Sequence, residues 1–442
     1  MKQKWYHLVS IALFVSGILT MTINSWNAKY FGLQNATVAA LVEHRTFALI
    51  DQVIPGFNLV EGTETFRYGK DVYPMKQPGG TIIGAIIYYP LYLLDFTYVN
   101  HFDYVSHIVT WGTSTFLMAL TSIVMYLFVS QVTKNHKVAT ATAIMMPLAT
   151  TIWPYAGVSH HDIYGIFWST MALYLFYLGY TNHKTKYLWL AGFLATFTLF
   201  FTMLPLTLPL SLLILIAWER NWKKLWSLGF GLLAGYIPNA LFNWINFGNP
   251  LLPPNLAGQV SDTMPLLSLT NFTSKLWFYL GSPSSAIIYF APVLLYGVIG
   301  IWQMKNSEWL KRVLTLVPLL QILHISSMET IGGFQYGPRY LLPTFACLVV
   351  GIAVWLTKKH TQVTKYWFVI AVIYSITVAA IGAIQTVMYP MPGPYAPLVL
   401  GAQIIKGEMP IFRMLIPGLI LTMLGAYGLY KSRLLTQKAK IN

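Results

Sequence analysis

This chain is short of charge. Only 9% of its 442 residues are Asp, Glu, Lys or Arg, where a soluble protein carries roughly 25%. Acids are the scarcest, 13 against 28 Lys and Arg. Cys347 is the one cysteine and lies in an apolar run, so an intramolecular disulfide is excluded. The sequence has no internal repeat, no low-complexity tract and no charge in the middle of an apolar segment. What it has is hydrophobic surface, 56% of residues, with 15% aromatic. The expected class is an all-α polytopic membrane protein. The net charge of +15 is no nucleic-acid signal, because of where the cations fall.

Seven basic clusters punctuate the chain: Lys2/Lys4, Lys134/Lys137, Lys184/Lys186, Arg220/Lys223/Lys224, Lys305/Lys311/Arg312, Lys358/Lys359/Lys365 and Lys431/Arg433/Lys438/Lys440. They hold 19 of the 28 Lys and Arg, each beside long apolar stretches. Basic loops stay in the cytoplasm, so each cluster marks a return to one side. A spanning helix needs about 20 apolar residues. Twelve spans are expected (11–13 by the uncertainty of the count), near 6–24, 105–130, 138–154, 162–180, 187–203, 205–218, 225–245, 286–304, 312–328, 339–357, 366–388 and 411–430. The first resembles a signal peptide but lacks a clean cleavage pattern, so it is read as a retained span. The run 187–218 is split near Pro205 and Pro209.

Segment 81–94 is read as interfacial. Its fourteen residues reach only ~21 Å as a helix, against a hydrocarbon core of ~30 Å, and Pro90 interrupts it. If it crossed, six of the seven basic clusters would face outward. Both termini are then cytoplasmic, and 25–104 forms the largest outer loop of a single domain, 1–442. Further outer loops are 151–162, 246–285, 326–339 and 389–410. Outer segments carry 11 of the 13 acids. A second interfacial helix is expected over 35–50, with Val38, Leu41, Val42 and Phe47 on its apolar face.

The outer loops carry recognisable strings. Residues 43–80 read EHRTFALIDQVIPGFNLVEGTETFRYGKDVYPMKQPGG. WPYAGVSHHD follows at 153–162, FGNP at 247–250, GSPSSAIIYFAPVLL at 281–295 and YGPRYLLP at 336–343. In this order they resemble motifs of the GT-C class of integral membrane glycosyltransferases, which includes protein mannosyltransferases and lipid A aminoarabinose transferase. Bacterial members carry patterns such as LVEHGTF-ID, YNGKYYSDKAPG, FGSP and WGPRYLLP. The resemblance spans most of the chain.

That resemblance implies an inverting transfer of a sugar from a polyprenyl-phosphate donor to a glycan, lipid or protein acceptor on the outer face, without a cofactor. The transfer needs a base for the acceptor hydroxyl, which is a carboxylate near the membrane surface. Asp51, Glu64 and Asp162 are the candidates. It also needs positive charge and hydrogen-bond donors for the phosphate leaving group. Lys76, Arg339 and Tyr336 are the candidates there, with His160, His161 and Arg67 as further sugar or phosphate contacts. An apolar groove must take the lipid tail. One departure stands out: the family's usual acidic position reads Gln34-Asn35, and neither side chain works as a base. No metal is expected at His160-His161-Asp162, because adjacent histidines point different ways from a helix. A helix cap by Asp162 fits that run better.

Two rival readings come with this one. A twelve-helix secondary transporter would place ionisable groups near the midplane, and none is found there. A non-catalytic relative that binds lipid-linked sugars would explain the missing acid at Gln34/Asn35.

Overall fold

A computed structural model describes residues 2–49, 64–254, 269–305, 307–328, 331–332 and 334–441. The twelve apolar segments all hold helix. Among the described residues, four helical stretches are long and apolar enough to cross a membrane: Tyr98–Thr133, Trp222–Phe247, Arg339–Leu356 and Gln362–Ile384. The helices named below are α1 (Lys2–Met21), α2 (Ser25–Tyr30), α3 (Gly32–Glu43), α4 (Pro78–Leu93), α5 (Tyr98–Thr110), α6 (Phe116–Thr133), α7 (His136–Leu148), α8 (Ile152–Ala156), α9 (His161–Thr181), α10 (Thr185–Phe197), α11 (Thr207–Trp218) and α12 (Trp222–Phe247).

Prolines and glycines set the breaks and the close approaches. The run after His183 divides into α10, two short 3-10 turns and α11, with Pro205 at the bend. A proline removes a donor and crowds the carbonyl four residues back, and at Pro205 the helix breaks. Helix α10 lies against α12 where Gly192 and Gly231 face backbone: a Cβ on Gly231 would sit 2.1 Å from the Trp189 carbonyl oxygen. The first and last helices pair through Gly17 and Gly418 in the same way. Long faces of α12, and of the helices Gln362–Ile384 and Leu415–Ile441, expose Trp, Ile and Leu, as lipid-facing surfaces do.

Two expectations change. The helix placed at 35–50 is α3 and ends at Glu43, and residues 32–40 are buried on every face. It packs inside the protein against α4 and α5. The outer loop also contains strand, which an all-helical reading misses. Strands β1 (Thr65–Tyr68) and β2 (Asp71–Pro74) pair antiparallel in the register Tyr68↔Asp71. Gly69, at φ +64, opens the two-residue turn, a conformation that costs a glycine little. The hairpin rests on the end of α12. Phe66 and Tyr73 pack on the Phe247 ring at 5.6 and 5.2 Å, and the Tyr68 hydroxyl donates to the Phe247 carbonyl at 2.8 Å.

Candidate active site

The hairpin delivers Lys76. Strand β2 ends at Pro74, and α4 begins at Pro78, where a missing N–H costs nothing. The Pro-Gly-Gly start lets α4 press on its neighbours: a Cβ on Gly80 would meet the Tyr164 ring at 2.3 Å, and one on Gly79 the Phe200 carbonyl at 2.7 Å. Lys76 therefore sits at the junction of α4 and α9. Its ammonium pairs with Glu64 at 2.9 Å, and the Met75 N–H donates to the Glu64 carbonyl at 2.7 Å.

The start of α9 supplies the second half. His160 is the N-cap, and its Nδ1 accepts the Asp162 N–H at 3.2 Å. The expected cap by Asp162 is thus corrected to a cap by His160. The Asp162 carboxylate lies in the first helical turn, where the helix dipole favours negative charge. It is only 3% exposed. The Thr202 hydroxyl donates to its Oδ1 at 2.8 Å, His161 Nε2 lies 3.4 Å from Oδ1, and Arg339 Nε lies 3.5 Å from Oδ2. Among the described residues, neither Arg339 Nε nor Asp162 Oδ2 has a hydrogen-bond partner, so this pair is close but loose. Arg339 is fixed at its other end. Its Nη2 donates to the Tyr340 hydroxyl at 3.0 Å, Nη1 to the Phe334 carbonyl at 3.4 Å, and the guanidinium lies over the Tyr340 ring at 4.7 Å.

These groups share one electrostatic neighbourhood. Burial alone would raise the Glu64 carboxyl, but the charge and hydrogen bond of Lys76, with Arg339 behind, outweigh it and hold Glu64 below its usual range. Burial lowers the proton affinity of His161 well below the usual value, and the charges of Lys76 and Arg339 add to it. His160 is lowered well below its usual value too, by burial first and then by His161. Burial thus disfavours the charged form of both imidazoles, and among the described residues the site brings together Lys76, Arg339, Glu64 and Asp162.

The rings of His160 and His161 stack at 4.4 Å with a 20° tilt. Their ligand atoms and those of Asp162 lie within 4.8 Å of one another. The expected divergence of the two histidines is corrected, because His160 precedes the helix and so escapes helical spacing. The arrangement is still encumbered for a cation: His160 Nδ1 is engaged by the Asp162 N–H, and a guanidinium faces Asp162.

Other expected residues lie elsewhere. Tyr336 is fully buried, with its hydroxyl donating to the Val378 carbonyl at 2.6 Å and its N–H to the Tyr155 hydroxyl at 2.7 Å. It holds loop to helix and has no hydroxyl to spare for a phosphate. The phenol beside the guanidinium is Tyr340. Arg67 is exposed on β1. Asp51 lies outside the described residues. Thr202 and Tyr340 carried no sequence signal of their own, although Tyr340 adjoins Arg339 in the YGPRYLLP string.

An open apolar groove of about 390 Å³ runs between α11 and the helix Glu308–Ser327, lined by Leu206, Leu210, Leu320 and Leu323, with Thr207 and His324 at its wall. The Thr207 hydroxyl donates to Gln321 Oε1 at 2.6 Å, and Gln321 Nε2 donates to the Tyr340 carbonyl at 2.9 Å. Hydrogen bonds therefore tie the groove wall to the backbone beside Arg339.

No family model and no curated protein matches this chain. Solved structures do. ArnT from Cupriavidus metallidurans, bound to undecaprenyl phosphate, superposes with a TM-score of 0.54 at 13% identity, covering 95% of this chain and 75% of that one. Archaeal oligosaccharyltransferase AglB from Archaeoglobus fulgidus, in complex with an inhibitory peptide and a dolichol-phosphate, gives 0.50 at 12% identity, covering 88% of this chain and 57% of that one. The chain thus spans little more than half of AglB. The likeness is one of fold: this chain shares the fold of these two solved structures.

Proposed function

We propose that this protein is an inverting membrane glycosyltransferase that moves a sugar from a polyprenyl-phosphate donor to an acceptor hydroxyl on the outer face. The observation that carries this reading is the cluster in which Lys76 and Arg339 stand beside an exposed Glu64 and a buried Asp162, on a fold shared with structures that hold polyprenyl phosphates. The two cations receive the donor phosphate, with Tyr340 orienting Arg339. The groove between α11 and the helix Glu308–Ser327 takes the apolar tail.

A base must reach its acceptor. Asp162 is sealed, whereas the Glu64 side chain is 61% exposed, which favours Glu64 over Asp162. Glu64 takes the hydroxyl proton as the acceptor oxygen bonds to the anomeric carbon. The carbon–oxygen bond to phosphate breaks, and its electron pair leaves on the polyprenyl phosphate, stabilised by Lys76 and Arg339. One displacement inverts the anomeric centre. Asp162 holds Arg339 in place. The seven basic clusters favour a cytoplasmic location for both termini.

The test is transfer by membranes containing the protein from a panel of radiolabelled polyprenyl-phosphate sugars. Label should pass to an acceptor from at least one donor, and no transfer from any would reject the activity. A second reading, a non-catalytic binder of lipid-linked sugars, is favoured by the buried amide of Asn35 at the family's acidic position. Donor binding without transfer would select it.

A further inference from the structure

Among the described residues, the charges of the candidate site cancel before any donor arrives. Lys76 and Arg339 are matched by Glu64 and Asp162, and burial disfavours a charge on both neighbouring histidines. A phosphodiester brings another negative charge. To sit on Lys76 it must face a carboxylate already 2.9 Å from the ammonium, and like charges at that range repel.

The two carboxylates are not equally able to give way. Asp162 is fixed by the Thr202 hydroxyl and by its place in the first turn of α9. Its partner Arg339 is held in turn by Tyr340 and Phe334. Among the described residues, the Glu64 side chain has one ion pair, with Lys76. It extends from the mouth of the hairpin with a left-handed backbone, φ +58, which a non-glycine residue adopts at some cost. Lys76 is the fixed partner, 17% exposed at the rigid entrance to α4, against 61% for Glu64. If one member of this pair moves, it is Glu64.

We propose that Glu64 is the resident counter-ion of the donor site: it occupies Lys76 in the free protein, yields that position to the donor phosphate, and is released as the carboxylate that takes the acceptor proton. This rests on the glycosyltransferase reading and adds an order of events to it. While Glu64 is bound to Lys76 its carboxylate is a weak base. Once the phosphate takes over the ammonium, the carboxylate recovers its basicity within reach of the acceptor. The donor must therefore bind first, and the acceptor is not activated over an empty site.

The experiment measures binding of undecaprenyl phosphate to the purified full chain in lipid nanodiscs, with undecaprenol as the uncharged control. Wild type, Glu64→Gln, Lys76→Gln and the double variant are compared, and transfer is assayed in parallel. Glu64→Gln should bind at least about threefold tighter, the scale of an ion pair of this exposure. Its turnover should fall at least ~10²-fold. Lys76→Gln should weaken binding, and on that background Glu64→Gln should bring no gain. Tighter binding with lost turnover is a signature that a merely structural glutamate does not give. If wild type binds and transfers but Glu64→Gln binds equally or more weakly, the counter-ion role is overturned and the transferase reading stands. If wild type neither binds the phosphate lipid nor transfers sugar, both fall together.

Discussion

Replacing Arg339 by Ala should damage the protein mainly through what it leaves behind. Unit charges 3.5 Å apart attract by about 5 kcal/mol at an effective dielectric near 20. Asp162 keeps the Thr202 hydroxyl and the helix dipole, which offset part of that loss. A net destabilisation of about 3 kcal/mol follows, the lower end for breaking a buried pair. Asp162→Asn should cost less, because an amide still accepts from Thr202 and Arg339 keeps Tyr340 and Phe334. The double variant Asp162→Asn/Arg339→Ala should therefore recover most of the loss, since no charge is left unpaired. Thermal unfolding of all four proteins in one detergent reads this directly. Arg339→Ala should unfold earliest, with the double variant well above it. If the double variant is as unstable as the sum of the singles, the pair is not coupled and the argument is refuted.

Tyr336→Phe should lower stability by about 1 kcal/mol through the lost bond to Val378 and leave donor affinity unchanged, whereas Tyr340→Phe should weaken donor binding several-fold by freeing Arg339. Titration with undecaprenyl phosphate separates the two. Gly80→Ala should cost about 1–3 kcal/mol by overpacking, because its Cβ meets Tyr164 at 2.3 Å; it should also displace Lys76 and weaken donor binding. The proton affinities of His160 and His161 are lowered in the folded chain, so below pH ~6.5 the unfolded chain binds protons that the folded one refuses. Thermal stability should fall as the pH drops through that value, and His161→Gln should reduce the fall; an unchanged pH dependence in the variant would contradict the lowered proton affinity.

Helices were legible because their signal is redundant. An apolar run and a basic cluster point to the same boundary, as between α11 and α12, where Arg220 falls in the turn and Lys223 and Lys224 follow it. The hairpin 65–74 was not, since four-residue strands with alternating polarity carry little signal against a polar loop. Its turn signal, Gly69 before Lys70, is read only once the strands are known. The site divides the same way. Lys76, Glu64, Asp162 and Arg339 lie in strings with a family pattern, and tertiary packing draws Lys76 and Arg339 into the electrostatic surroundings of one histidine. Thr202 is one threonine among many, in a kink between two 3-10 turns, and becomes visible only through its bond to Asp162. Tyr336 shows the reverse error. A tyrosine in a family string is a plausible phosphate donor until burial shows that its hydroxyl is committed to a backbone carbonyl.

The departure at Gln34-Asn35 decides how the missing acid is to be understood. Asn35 is 2% exposed, its Nδ2 donates to the Ala28 carbonyl at 3.3 Å, and its Oδ1 accepts the Tyr98 hydroxyl at 3.2 Å. Both ends of an amide are in use, one as donor and one as acceptor. A carboxylate there would set a negative oxygen against the Ala28 carbonyl in a buried place, at a cost of about 1–3 kcal/mol or more. Gln34 is likewise engaged, its Nε2 donating to the Thr81 hydroxyl at 3.3 Å. The position is therefore built for an amide, and Asn35→Asp should lower thermal stability without raising sugar transfer. A rise in turnover in Asn35→Asp membranes would mean that the base belongs on α3 and that Glu64 has been wrongly given the proton. With no such rise, the proposal that Glu64 takes the proton stands.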